Sequence, residues 1–225
     1  MKLWNTRTEA ILYLEQESPG KMAVLSELFD AIDHLVVRYE KHSGSNTYAR
    51  ICGLTLLKAK NLAVGVFSLI LDGLGQEAGA LLRPFIEYTE LLTYFRHFPD
   101  SVNNVVNDNN KLPSAGHRAE AINGIYEGFR KHLNLHASHS SYSYDALSHL
   151  FEPKSFEFKK YQRHVPKVLE KNLKDISIQI YLLLYEATLN IEKLNLIGFD
   201  ELADRVDSLK AKLFLEFKLD VSEEK

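Results

Sequence analysis

The chain reads as all-α, a multi-helix bundle of about seven to eight helices around a central antiparallel hairpin. Three observations carry that expectation. Apolar residues recur at alternating threes and fours over most of the 225 residues, which lines them up on helix faces. Prolines fall at 19, 84, 99, 113, 153 and 166, and all but Pro84 lie where a helix could begin or end. No stretch alternates with the period of a strand, and no internal repeat is present. Helix should therefore exceed about 60% of residues, with no sheet.

Taken in order, residues 6–16 read as a short first helix. Ser18-Pro19 supplies an N-cap and a first-turn proline for the second. Behind them Met22, Leu25, Phe29, Ile32, Val36 and Tyr39 form a bundle-type seam that stops near His42, before Ser43-Gly44-Ser45. A third helix runs from about Thr47 to Leu71; it is apolar nearly all round from 54 to 71, so it must be enclosed. Asp72-Gly73-Leu74-Gly75 turns it into a fourth, about 76–97, completing the central hairpin. Pro99 and SVNNVVNDNNK mark a short helix or loop.

Residues 114–137 read as one helix, with Ile122, Ile125, Phe129 and Leu133 on one face. Gly124 and Gly128 on the next ridge would permit close helix approach. Residues 138–165 are irregular. Pro166 opens a long helix to about Leu196, apolar from Leu169 through Leu173, Ile176, Ile180, Leu183 and Ala187 to Ile191 and Leu194, and Gly198 ends it. A last helix, 199–217, carries Leu202, Val206, Leu209 and Leu213. One domain thus spans 1–225: N-terminal helices (1–45), core helices (46–137), the irregular segment (138–165) and C-terminal helices (166–217).

Composition is that of a soluble globular protein, 45% apolar and 25% charged. A net charge of −3 provides no general basic field, so nonspecific duplex binding is not indicated. Cys52 is the single cysteine, which excludes an intramolecular disulfide and reads as a small core side chain. MKLWNTRTEA has no signal-peptide core, and the most hydrophobic run, NLAVGVFSLIL, is short of the roughly 20 residues a membrane span needs. A cytoplasmic protein with no membrane partner is expected.

Chemistry concentrates in YEGFRKHLNLHASHSSYSYDALSH, residues 126–149, which holds His132, His136, His139 and His149 behind Arg130. On an unbroken helix the first three histidines span about 60°, at the border of the apolar face. The plain reading is border histidines bonded to neighbours. The fourth helix adds a polar ridge of Arg83, Glu87, Glu90 and Tyr94 within about 60°, at the bend Pro84 should make. This ridge is either a solvent-facing edge or one wall of a pocket. Both segments carry a polar strip beside an apolar face, so Arg83 and Glu87 are expected against the 126–139 helix.

Arg130 followed by His136 resembles the arginine–histidine motif of the HEPN superfamily, all-helical proteins that include dimeric RNases. The resemblance implies that Arg130 contacts a phosphate or transition state and that His136 is catalytic, at a dimer interface. The wider order LLRPFIE, an aromatic run to Pro99, then YEGF…LN…H…HS resembles a bacterial helical family of unknown function. Carried over by position, that likeness marks Arg83, Glu87, Tyr126 and His139 as binding residues. The i,i+4 pair His132/His136 also resembles the DinB-type metalloenzyme bundles, where His34 or His42 would have to supply a third ligand.

No P-loop, nucleophile elbow, zinc framework or EF-hand loop is present. No metal set is assigned and no cofactor is expected. His139, Ser140 and Asp145 offer triad residue types without a known geometry. The lysines and aromatics of 154–164 could touch single-stranded nucleic acid, or simply tuck against the bundle. Three functions remain in play. The leading one is a HEPN-like protein that binds or cleaves RNA, or binds another phosphate ligand, through Arg83, Glu87, Arg130, His136 and His139. The others are a non-enzymatic helical interaction protein and a metal-dependent bundle enzyme. A homodimer is expected, with the C-terminal helix stripe the one most easily spared for a partner.

Overall fold

The computed structural model describes residues 4–107, 111–136, 150–152, 155, 157–159, 162–194 and 199–219. Of these, 83% are helical, in nine α-helices, slightly more than expected. They are α1 (Asn5–Glu17), α2 (Pro19–Ser43), α3 (Thr47–Leu71), α4 (Gly75–His97), α5 (Val102–Asn107), α6 (Ala115–Ala121), α7 (Glu127–His136), α8 (Pro166–Lys193) and α9 (Phe199–Phe217). A single 3-10 turn, Pro99–Ser101, leads into α5. Among the described residues there is no strand, only one isolated antiparallel bridge between Phe151 and Phe158.

The α3–α4 hairpin is central, with α2 and α8 packed on it, α9 laid across α2 and α8, and α6 and α7 on α4. Its turn works because Gly73 takes φ 75° and Leu74 N–H donates to Leu69 O at 2.9 Å, closing the end of α3. The core is aliphatic and continuous, from Leu14, Leu28 and Leu35 through Leu56, Phe85 and Phe95 to Ile176 and Ile180, all essentially without exposure. Tyr39 is enclosed with them, its hydroxyl donating to Ala187 O at 2.6 Å.

Several expectations change. Ser18 precedes Pro19 but does not cap α2; its hydroxyl donates to Glu170 Oε1 at 3.1 Å instead. Asn46, not weighed in the sequence, caps α3 by accepting from Ala49 N–H at 3.0 Å. The 114–137 helix is broken: Asn123 (φ 59°) and Gly124 (φ 65°) turn the chain between α6 and α7. That break separates the shared apolar face. Ile122 is buried, whereas Ile125 is 57% and Phe129 42% exposed. Gly124 therefore serves the turn, and a Cβ at Gly128 would meet nothing within 4 Å, so neither marks a helix crossing.

The two apolar surplus regions also exchange roles. Leu202, Val206, Leu209 and Leu213 are buried within the chain, because α9 is already covered by α2 and α8. Helix α3, although central, instead leaves one face open at Leu54, Leu57 and Val64. It is long and apolar enough to cross a membrane by length and composition, yet only 33% of its most apolar window is buried.

Candidate functional site

Helix α4 turns two carboxylate-bearing surfaces of the bundle toward its neighbours. Arg83 and Glu87 form an i,i+4 ion pair at 3.8 Å, with side chains 51% and 31% exposed. One turn on, Glu90 has no exposure at all. Its oxygens accept from Arg130 Nη1 on α7 at 3.2 and 3.3 Å, and the same nitrogen donates to Ala115 O at 3.3 Å. Burial raises the Glu90 carboxyl above its ordinary range, while the nearby charges of Arg130 and Arg118 draw it back and Glu87 adds to the rise. Arg118 donates through Nη1 to Pro113 O at 2.5 Å, and its buried Nε has no partner among the described residues.

A second buried carboxylate lies on α8. Glu186 takes both arms of Arg96, at 3.0 to 3.3 Å, and accepts the Tyr126 hydroxyl at 3.3 Å. Burial and the Glu186 charge push the Tyr126 phenol well above its usual range, so it donates. One turn further along α8, Asn190 donates to Glu186 O at 2.7 Å and Leu92 O at 3.1 Å. Its Oδ1 accepts from Tyr48 and from the Cys52 thiol. Burial holds that thiol protonated, which fits its expected place in the core. Tyr48 also lines a cleft of about 410 Å³ with Thr47, Asp100, Asn103 and Lys193. The Glu90 cluster thus joins α4 to α7 and the Glu186 cluster joins α4 to α8, with a small apolar cluster of Ile86, Ile122 and Tyr126 beside them.

The sequence-marked residues divide accordingly. Arg130 and Tyr126 reach α4 and α8, but through Glu90 and Glu186. Arg83 and Glu87 bond to each other, with no hydrogen bond or ion pair to α7 among the described residues. Tyr94 sets its ring tilted against Phe98, centroids 4.9 Å apart, and packs on the Ile86, Ile122 and Tyr126 cluster. The side chain of His136, and His139, Ser140, Asp145 and His149, lie outside the described residues. His132 is exposed, near Asp175 of α8, whose carboxyl burial raises while Lys171, Lys174 and His132 draw it back. Among the described residues no three His, Cys, Asp or Glu come together to hold a metal. His34, one of the two suggested third ligands beside His42, faces Arg205 of α9.

Glu186 and Arg96 were missed. The signal was available: YLLLYEATLNI places one glutamate inside an otherwise apolar run, and a buried carboxylate demands a cation. No protein-family model, curated protein or solved structure matches the chain.

Proposed function

We propose that this chain binds a phosphate-containing ligand, RNA above others, on the face where α4 meets α6 and α7, as a HEPN-like helical protein. The setting of Arg130 carries the reading. One of its nitrogens is held by the buried Glu90 carboxylate while the side chain keeps 18% exposure. A guanidinium fixed at one corner offers its remaining donors in a set plane, which suits a phosphate oxygen. Arg118, whose charge acts on Glu90 and whose Nε is unpartnered, adds positive charge to the same face, and Arg83, paired with Glu87, stands half exposed further back on α4. Arg130 and Arg118 would contact phosphate, and Glu87 would border it. Tyr126 holds the turn that presents Arg130. Any proton transfer would fall to His136, further along the chain, with His139 as a binding residue.

The test is fluorescence anisotropy with labelled single-stranded RNA at two salt concentrations, with a gel assay for cleavage. Binding should weaken as salt rises and fall about fivefold or more in Arg118→Gln, the loss expected for one charge-assisted contact. His136→Ala should abolish any cleavage while sparing binding. No RNA binding, or affinity indifferent to both Arg118→Gln and Arg83→Gln, overturns the reading.

A second reading, the non-enzymatic interaction protein, is favoured by one observation. Glu90 and Glu186 are satisfied within the chain by Arg130, Arg96 and Tyr126, which accounts for those residues as fastenings. It predicts that Arg130→Gln loosens the fold with no binding activity to lose.

A further inference from the structure

The cleft of about 410 Å³ beside Tyr48 lies where α8 finishes next to the start of α3, and its volume is that of a small-molecule site. Four stretches far apart in sequence meet there. They are residues 45–48 at the α2–α3 turn, Pro99 and Asp100 in the 3-10 turn, Val102 and Asn103 of α5, and Lys193 with Leu194 at the end of α8.

The walls of the cleft are fastened. The Asn46 side chain caps α3, and Ser101 Oγ donates to Phe98 O at 2.6 Å, holding the turn that carries Asp100. Val102 is buried, which pins α5 to the core. Tyr48 is buried too, its hydroxyl donating to Asn190 Oδ1, while the Asn190 amide is held by Leu92 O and Glu186 O. The charges, by contrast, are uncommitted. Asp100 and Lys193 are exposed, and among the described residues neither side chain makes an ion pair or hydrogen bond. Fixed walls with two free charges of opposite sign are preorganised for a ligand that answers both.

We propose that this cleft binds a free α-amino acid with an apolar side chain. The carboxylate meets Lys193, the ammonium meets Asp100, and the Asn103 carboxamide can donate to one or accept from the other. Pro99, Val102 and Leu194 supply the apolar surface for the side chain. The paired charges select the class. A purely anionic ligand is repelled by Asp100 and a purely cationic one by Lys193, whereas a zwitterion is attracted by both. No exposed aromatic ring among the described lining residues is there to stack a base, which sets nucleotides further back. The site uses neither Arg130 nor Arg118, so it stands or falls separately from the phosphate reading.

Isothermal titration calorimetry of the full chain tests it. Leucine or phenylalanine should bind with a dissociation constant of about 1 mM or tighter. Leucinamide, which lacks the carboxylate, and N-acetylleucine, which lacks the ammonium, should each bind about tenfold more weakly than leucine, the loss of one charge-assisted contact. Lys193→Gln and Asp100→Asn should each weaken leucine to a similar degree. Both positions are exposed, so circular dichroism should keep the wild-type helicity. Arg118→Gln should leave leucine affinity unchanged. Three results overturn the proposal: no heat from either amino acid at about 10 mM, wild-type affinity for leucine in Lys193→Gln or Asp100→Asn, or leucinamide or N-acetylleucine binding as tightly as leucine.

Discussion

Helices α7 and α9 are both amphipathic elements laid on the outside of the α2–α3–α4–α8 bundle, and different forces hold them there. Helix α9 buries Leu202, Val206, Leu209, Leu213 and Phe217 against α2 and α8, while its polar contacts, such as Lys212 to Glu27, stay at the surface. Helix α7, with the turn leading into it, buries less: Phe129 is 42% exposed and Leu133 half-buried. Its fastenings are polar, Arg130 on Glu90 and Tyr126 on Glu186. An apolar stripe attaches with a strength that barely depends on pH. A buried ion pair attaches through groups that titrate, so α7 is the element that can release while the core stays folded.

The largest effect should come from the apolar side. Leu209→Ala in α9, at a site 2% exposed, should cost about 2–4 kcal/mol of global stability. Urea unfolding should give nearly the same loss at pH 5 and pH 8. A cost that changes steeply with pH would show that α9 too depends on its charges.

Arg130→Ala tests the polar side. It leaves the Glu90 carboxylate buried without its guanidinium, a loss of about 1–3 kcal/mol. The loss should be local. Amide hydrogen exchange in 127–136 should speed up about tenfold or more while 19–43 and 47–71 keep their protection, since 1.4 kcal/mol is a factor of ten. Uniform acceleration across the bundle would mean that α7 is part of the core, and the contrast with α9 would collapse.

Tyr126→Phe should do the same more weakly, by about 1 kcal/mol, because Arg96 still satisfies Glu186 when the phenol is gone. An effect as large as that of Arg130→Ala would place the main fastening at Glu186 rather than Glu90.

The same contrast explains what could be read in advance. The apolar periodicity delivered the helices, the hairpin and the stripe of α9, because a 3.6-residue repeat declares which face must be covered. It does not declare by what. Leu202 to Leu213 looked spare for a partner and is covered by α2 and α8, while the α3 face, thought enclosed, is open. The break at Asn123-Gly124 was overridden by an apolar pattern that ran across it, although an Asn-Gly pair is a turn signal in its own right. The site was legible only by residue type. Arg83, Glu87, Tyr126 and Arg130 were marked, but the partners that fix two of them, Glu90 and Glu186, come from other helices. No spacing within one helix encodes such a pairing.

The smallest and most discriminating effect is a change of sign between two carboxylates. Glu90 has its folded pKa raised by burial, so its contribution is fully present below the unfolded value and is lost as pH rises through the folded one. Glu170 is the reverse. Lys21, at 2.7 Å, together with Tyr13 and Ser18, holds its carboxyl below the ordinary range, so its contribution is present at neutral pH and is lost on acidification. Glu90→Gln should therefore stabilise the chain at pH 8, and the gain should shrink to nothing near pH 4, where wild-type glutamate is itself becoming neutral. Glu170→Gln should destabilise at pH 8 and also converge on wild type in acid. Urea midpoints between pH 4 and 8 give both curves. If Glu90→Gln instead weakens the chain at pH 8, the attraction of Arg130 outweighs the burial of Glu90. Then α7 is locked down at neutral pH and acid, not base, is what frees it.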